Sequence, residues 1–194
     1  MKRNASSGKK GSSGANRTVM LGLAGFTALV IVVIAALAVF SATGGGSTGN
    51  LTPNNEGLIP VGEKAPGFTA ETVGGGSVSV GDGEAGATML VFFATWCPHC
   101  QREAPVMSEL ESQYDDLQLV MVGIDAQDNP DKMRQFAEEY DIESPAVYEP
   151  LLGSEYGVSG YPTVYVLDEN NKVVGAHSGE APREVYEAWI EEAL

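Results

Sequence analysis

The sequence is poor in cysteine, histidine and positive charge. Its 194 residues include 2 cysteines and 2 histidines, and 11 lysines and arginines stand against 26 aspartates and glutamates, which gives a formal net charge of −15. A structural zinc site of four ligands would need every cysteine and histidine in the chain. The acidic balance disfavours nucleic acid as a partner, because phosphate backbones are bound by clustered lysine and arginine.

The N-terminal part of the chain lacks acidic residues altogether. Every aspartate and glutamate lies at or after Glu56, whereas five lysines and arginines precede Thr18. Residues 18–42 then carry no charge, and the mostly apolar core 20–40 would span about 31 Å as a helix, enough to cross a bilayer. Since the positive residues come first, we predict a single transmembrane helix at 18–42, with a cytoplasmic basic tail at 1–17 and the rest outside the cell membrane.

A cleaved signal peptide is the alternative interpretation of this segment. Signal peptides have an apolar region of about 7–15 residues and a small-x-small cleavage site. The apolar core here is longer and ends in Phe40-Ser41-Ala42, and no cysteine follows it closely for attachment of a lipid. The sequence therefore favours an uncleaved anchor.

Two further regions follow the predicted anchor. Residues 43–60 are rich in glycine, threonine and asparagine and have little apolar surface, so we predict a flexible linker. Residues 61–194 have the size of one domain with its own core.

The pattern of that domain alternates between strands and helices. Continuous apolar runs at 88–93 and 119–124 predict strands buried on both faces, which indicates a parallel arrangement in a central sheet. Helical spacing follows each run, at 98–114 and at about 130–140. The other predicted elements are a leading hairpin, a second hairpin and a closing helix, at 67–80, 163–176 and 183–194.

The only two cysteines, Cys97 and Cys100, stand where the first buried strand ends and a helix begins. A thiol at a helix N-terminus faces unpaired N–H groups and the positive end of the helix dipole, which both favour the thiolate. The thiolate is the nucleophile of disulfide exchange, so Cys97 would attack a partner's disulfide and Cys100 would resolve the mixed disulfide. Pro98 suits the first helical turn, and His99 would stabilise the thiolate and raise the reduction potential.

Three other uses of the cysteines are weaker. A structural disulfide closing so short a loop would contribute only about 2 kcal/mol. A zinc site would have to recruit both His99 and the distant His177. A c-type haem site needs a histidine directly after the second cysteine, where Gln101 stands.

Around the cysteines the chain carries four spaced stretches, at 62–68, 93–97, 103–105 and 156–163. In these the sequence resembles the thioredoxin-like superfamily, and more specifically the membrane-anchored TlpA/ResA-type thiol-disulfide oxidoreductases. The resemblance covers residues 61–194. It implies an α/β, thioredoxin-like fold with a central mixed β-sheet flanked by helices, and an activity that needs no cofactor and no metal.

The resemblance also implies roles for particular residues. Cys97 would attack, Cys100 would resolve, and Pro162 would be a cis-proline beside them. Trp96 and Tyr161 would shape the surface on which a substrate chain docks. The implied substrates are protein thiols and disulfides, and a membrane redox partner would recharge the cysteine pair.

The proton acceptor departs from the classical thioredoxin pattern. Classical thioredoxins have a buried aspartate six residues before the first cysteine, and Val91 occupies that position. ResA-type proteins use a glutamate three residues after the second cysteine, where Glu103 stands. A partly buried carboxylate there would have a raised pKa and would carry a proton during exchange.

The direction of electron flow stays open at this level. The Pro98-His99 dipeptide is that of strongly oxidising DsbA-type proteins, whereas TlpA/ResA-type proteins are more often reductases. The stretch from Asp125 to Pro162 is too short for the inserted helical domain of a DsbA-type fold. Cytochrome c maturation and disulfide quality control both suit such a protein.

Copper binding and peroxide reduction are two other functions that cysteines can carry on this fold. A Sco-like copper chaperone would use the same sulfurs with His177, although Sco-type proteins have a longer cysteine spacer. Peroxide reduction would need a threonine three residues before the cysteine, where Ala94 stands. The acidic residues that follow the second strand, Asp125, Asp128 and Asp131, are expected to be solvated.

Overall fold

The computed structural model describes residues 55–194. The predicted tail at 1–17, the predicted transmembrane helix at 18–42 and residues 43–54 of the predicted linker lie outside the described residues. Within residues 55–194, no helix has both the length and the apolar character needed to span a bilayer.

Between residues 55 and 194 the chain forms seven strands and four helices. In chain order they are β1 (Phe68–Glu71), β2 (Ser77–Val80), β3 (Ala87–Phe93), α1 (Pro98–Gln113), β4 (Leu117–Gly123), α2 (Pro130–Glu139), β5 (Ala146–Tyr148), α3 (Leu152–Glu155), β6 (Thr163–Asp168), β7 (Val173–Ser178) and α4 (Arg183–Ala193).

A five-stranded mixed sheet in the order β5-β4-β3-β6-β7 forms the centre, which confirms the predicted central mixed sheet. Strands β3, β4 and β5 run parallel to one another, and β6 and β7 are antiparallel to their neighbours. Strands β1 and β2 pair as a separate antiparallel hairpin.

Strand β3 is buried on both faces, as its continuous apolar run predicts. Met89, Val91 and Phe93 face a core that includes apolar side chains of α1, α2 and α4. Leu90 and Phe92 face a second core on the other side, where the β1–β2 hairpin packs. Because both faces are covered, the ends of the sheet are where a reactive group can reach solvent.

The predicted linker needs one adjustment at its end. Residues 55–60 pack on the domain: Leu58 is buried in the second core, and Ile59 N donates to Tyr165 Oη at 2.9 Å. Asn55 Nδ2 donates to Ala176 O at 3.0 Å. The packed region therefore starts before the predicted boundary at residue 61, because one leucine and a few backbone groups find partners that composition alone does not reveal.

The topology gathers the candidate residues at one edge of the sheet. Strands β3 and β4 run in parallel and end there, at Phe93 and Gly123, which are paired in register. Strand β6 runs the other way, so its first residue, Thr163, lies at the same edge beside Phe92. The segments that follow β3, follow β4 and precede β6 are therefore brought together.

Candidate redox site

Cys97 and Cys100 lie at the start of α1, as predicted. Cys97 is the N-cap residue, Pro98 occupies the first turn, and both cysteines are free thiols. Cys97 N donates to Ala94 O at 3.0 Å, and Cys97 O accepts from Gln101 N at 3.1 Å. The two sulfurs are buried, with residue exposures of 5% for Cys97 and 4% for Cys100.

A cis peptide bond lies beside the first cysteine. The Tyr161–Pro162 bond is cis, as the resemblance implies. The Cys97 thiol lies 3.6 Å from Tyr161 O, to which it donates. Pro162 O accepts from Gly179 N at 2.7 Å, which ties this loop to the end of β7. The Tyr161 backbone is therefore next to the sulfur that a substrate would have to reach.

The Cys100 thiol is strongly affected by its burial. Desolvation by burial raises the pKa of Cys100 far above its ordinary range, and the nearby Cys97 and Glu103 add to the effect. Cys100 therefore keeps its proton at neutral pH unless a base removes it.

Glu103 lies on the same face of α1, one turn after Cys100, and is buried with 5% exposure. Its Oε1 accepts hydrogen bonds from Tyr186 Oη at 2.5 Å and Ala181 N at 3.0 Å. Its Oε2 has no hydrogen-bond partner among residues 55–194. Desolvation raises the pKa of Glu103, although the bonds from Tyr186 and Ala181 oppose the shift. Glu103 is therefore a buried acid in this structure, and its role as proton acceptor stays a prediction.

His99 is directed at a partner that the sequence does not indicate. Its Nδ1 lies 2.7 Å from Glu180 Oε1, and Arg102 also pairs with that carboxylate. Arg102 Nη2 lies 2.8 Å from the same Nδ1, but a guanidinium cannot accept a hydrogen bond. The tautomer with hydrogen on Nδ1 satisfies the carboxylate, so we assign His99 as the donor to Glu180.

Two aromatic side chains flank the first cysteine. Trp96 is 47% exposed, and its ring meets that of Tyr161 edge to face with centroids 6.2 Å apart. Both rings reach the carboxylate of Asp125, at 3.3 Å from Trp96 Nε1 and 3.5 Å from Tyr161 Oη. Asp125 thereby helps to orient the pair.

The expectation that Asp128 is solvated is wrong. Asp128 is buried, with 5% exposure. Its carboxylate accepts from Thr95 N at 2.9 Å and from the Thr95 hydroxyl. The residue fixes the loop that leads into Cys97, because buried backbone N–H groups need partners. Nothing in the sequence signals this contact, since the two residues come from different loops.

Replacing Asp128 with alanine is expected to lower the free energy of unfolding by about 1–3 kcal/mol, because the partly buried N–H and the hydroxyl of Thr95 lose their partner. Chemical denaturation of the purified protein measures this. Asp131→Ala is the matched control: its side chain is 77% exposed and pairs only with Arg134 within α2, so a change within about 0.5 kcal/mol is expected. Equal effects of the two changes would show that the Thr95 contact is not stabilising.

His177 does not join the cysteines in a metal cluster. Its ring is buried on β7, and Nε2 lies 3.2 Å from Glu180 O. Among the described residues, no group of three or more histidine, cysteine, aspartate and glutamate side chains is placed to hold a metal ion.

The fold, with a buried dithiol at a helix N-terminus beside a cis-proline, defines a thioredoxin-like thiol-disulfide oxidoreductase. The chain belongs to the AhpC/TSA family, whose model matches residues 61–176.

Similar proteins carry names that agree with this class. The chain is 33% identical to the thioredoxin-like protein YneN of Bacillus subtilis, over 69% of this chain and 80% of that protein. It is 28% identical to the thiol-disulfide oxidoreductase ResA of Bacillus cereus, over 71% of this chain and 80% of that protein. Among solved structures, a Chlorobium tepidum protein described as a DsbE-type thiol:disulfide interchange protein matches with a TM-score of 0.62 and 30% identity, covering 70% of this chain and 98% of that chain.

Proposed function

We propose that this protein exchanges a Cys97–Cys100 dithiol with the disulfides of secreted or membrane-associated proteins outside the cytoplasm. The observation that carries the proposal is the placement of Cys97 at the N-terminus of α1, within 3.6 Å of the Tyr161 carbonyl that precedes the cis-proline. The names of the similar ResA and DsbE-type proteins support the reaction class.

The proposed reaction consists of two consecutive thiol-disulfide exchange steps. The Cys97 thiolate attacks a substrate disulfide, which forms a mixed disulfide and releases one substrate thiolate. Cys100 then loses its proton and attacks Cys97 Sγ, which forms the Cys97–Cys100 disulfide and releases the second thiolate. The two electrons pass to the substrate, and each released thiolate takes up one proton. The reverse sequence oxidises a substrate dithiol.

Glu103 is placed to accept the proton of Cys100. The two side chains are one turn apart on the buried face of α1, and their charges interact. Burial raises the pKa of both groups, so each of them resists ionisation. A carboxyl with a raised pKa transfers protons efficiently near neutral pH. Glu103 would therefore set the rate of the resolving step.

The substrate chain would dock across Trp96, Tyr161 and Pro162. The exposed indole offers apolar area next to Cys97, and the ring of Tyr161 stands against it. The Tyr161 carbonyl presently accepts from the Cys97 thiol, and ionisation of that thiol would free the oxygen for a substrate N–H. Docking and activation of the thiol would then be coupled.

The membrane arrangement follows from residues 1–60. A helix at 18–42 would anchor the chain with its basic tail in the cytoplasm. The glycine-rich residues 43–54 would let the domain move within roughly 17–21 Å of its anchor. Cytochrome maturation apoproteins and misoxidised secreted proteins are both within the reach of such a domain, and a membrane redox partner would restore the cysteine pair.

Full-length protein with Cys100→Ser tests this proposal. Without the resolving thiol, the mixed disulfide should accumulate and appear on non-reducing gels of whole cells. The trapped proteins should be extracytoplasmic, and a membrane-impermeant maleimide should label Cys97 in intact cells. The double variant Cys97→Ser, Cys100→Ser is the matched control and should trap nothing. Cytoplasmic partners, or protection from the maleimide until the cells are lysed, would contradict the proposed location.

A further inference from the structure

Glu180 lies in the loop between β7 and α4, next to the redox site. Its carboxylate holds His99 Nδ1 at 2.7 Å and also pairs with Arg102. Side-chain exposures are 38% for Glu180 and 59% for His99, so solvent weakens the interaction between them but does not abolish it. The loop therefore reaches across to the helix of the cysteines.

The backbone on both sides of Glu180 is fixed. Gly179 N donates to the carbonyl of Pro162 at 2.7 Å. Ala181 N donates to the buried Glu103 at 3.0 Å. The carboxylate consequently starts from an anchored position, which lowers the entropy lost in holding the imidazole.

The imidazole of His99 is engaged away from the sulfur. Its Nδ1 donates to Glu180 and lies close to the Arg102 guanidinium, whereas the Cys97 thiol donates to Tyr161 O. When Cys97 ionises, the Nδ1–H of His99 can pair with the thiolate or with Glu180. While His99 is hydrogen-bonded to the Glu180 carboxylate, it does not stabilise the Cys97 thiolate.

We propose that Glu180 is a positioning residue that sets the reduction potential by competing with the Cys97 thiolate for His99. The inference rests on the proposed thiol-disulfide exchange. Because stabilisation of the thiolate favours the reduced form, a carboxylate that draws His99 away makes the pair less oxidising.

Glu180→Gln should make the protein more oxidising. The substitution removes one negative charge and frees the imidazole of His99 to face Cys97, and both changes stabilise the thiolate. Because partly exposed ion pairs are weak, we expect the equilibrium constant for reduction by glutathione to rise about threefold. That is about 14 mV at 29.6 mV per tenfold change.

The measurement is equilibration of the detergent-solubilised full chain with glutathione buffers at pH 7, with the dithiol fraction read by alkylation. Glu184→Gln is the matched control, an exposed acid in the first turn of α4, and should leave the constant unchanged. His99→Ala should lower the constant. In that background Glu180→Gln should have a smaller effect, because only the direct influence of its charge on Cys97 remains, and a double-mutant cycle isolates the coupling between the two residues.

Three results would overturn the inference: an unchanged constant in Glu180→Gln, an equal shift in Glu184→Gln, or the same shift when His99 is already alanine. In each of these the wild type still cycles between dithiol and disulfide. A wild type that does not cycle at all would instead refute the proposed function, so the two failures are distinguishable.

Discussion

Cys97→Ser is expected to reduce the rate of disulfide exchange to that of the uncatalysed reaction. The remaining thiol cannot substitute, because burial raises the pKa of Cys100 and keeps it protonated at neutral pH. A protonated thiol is not the nucleophile of exchange. Reduction of insulin disulfides by the purified protein, with dithiothreitol as the terminal reductant, measures the loss.

Cys100→Ser should behave differently from Cys97→Ser, because it removes the thiol that resolves the mixed disulfide and keeps the thiol that attacks the substrate. In a single turnover with a model disulfide, Cys100→Ser should form one equivalent of mixed disulfide and then stall, whereas Cys97→Ser should form none. An adduct in Cys97→Ser but not in Cys100→Ser would reverse the two roles. Full activity in Cys97→Ser would refute the mechanism.

Glu103→Gln is expected to slow the resolving step at pH 7 on the order of 10²-fold, the lower range for loss of a general base. Glutamine has nearly the same shape and keeps an oxygen to accept from Tyr186 and Ala181, but it cannot take the proton of Cys100. In the wild type the rate should rise with pH as Glu103 ionises, and this rise should disappear in the variant. The reduction potential should stay within about 30 mV of the wild type.

The pH dependence of stability gives an independent check on Glu103. Burial raises its pKa above the ordinary value, so the folded state binds the proton more tightly than the unfolded chain does. The favourable contribution is complete below the unfolded pKa and is lost as the pH rises through the folded pKa. Glu103→Gln lacks this loss, so its free energy of unfolding relative to the wild type should increase with pH across that window.

Glu109→Gln is the control for both measurements, because Glu109 is on the same helix but its side chain is 64% exposed. It should leave the pH–rate profile and the pH dependence of stability unchanged. A wild-type profile in Glu103→Gln would show that the proton acceptor lies elsewhere. A stability difference that is constant with pH would show that the carboxyl ionises normally.

The sequence by itself determined the strands, the helices and the place of the chemistry. Continuous apolar runs at 88–93 and 119–124 predicted strands covered on both faces, and the structure places them in β3 and β4. Local signals of this kind depend on residues close together in the chain. The cysteine spacing at a strand-to-helix junction located the site for the same reason.

The sequence did not predict the shortest elements. Strand β5 has three residues and α3 has four, too few to show a period of either kind. Their positions depend on pairing with β4 and on packing against the second core. Local sequence does not encode such contacts.

Only the tertiary structure decided how the site is tuned. The burial of Glu103 depends on Tyr186 and Ala181, and the engagement of His99 depends on Glu180, all about 80 residues further along the chain. The contact of Asp128 with Thr95 joins two loops in the same way. A side chain's solvation and charge partners are set by the residues that the fold packs against it. Those neighbours exist only once the sheet has placed β4 and β6 beside β3 and β7 beside β6.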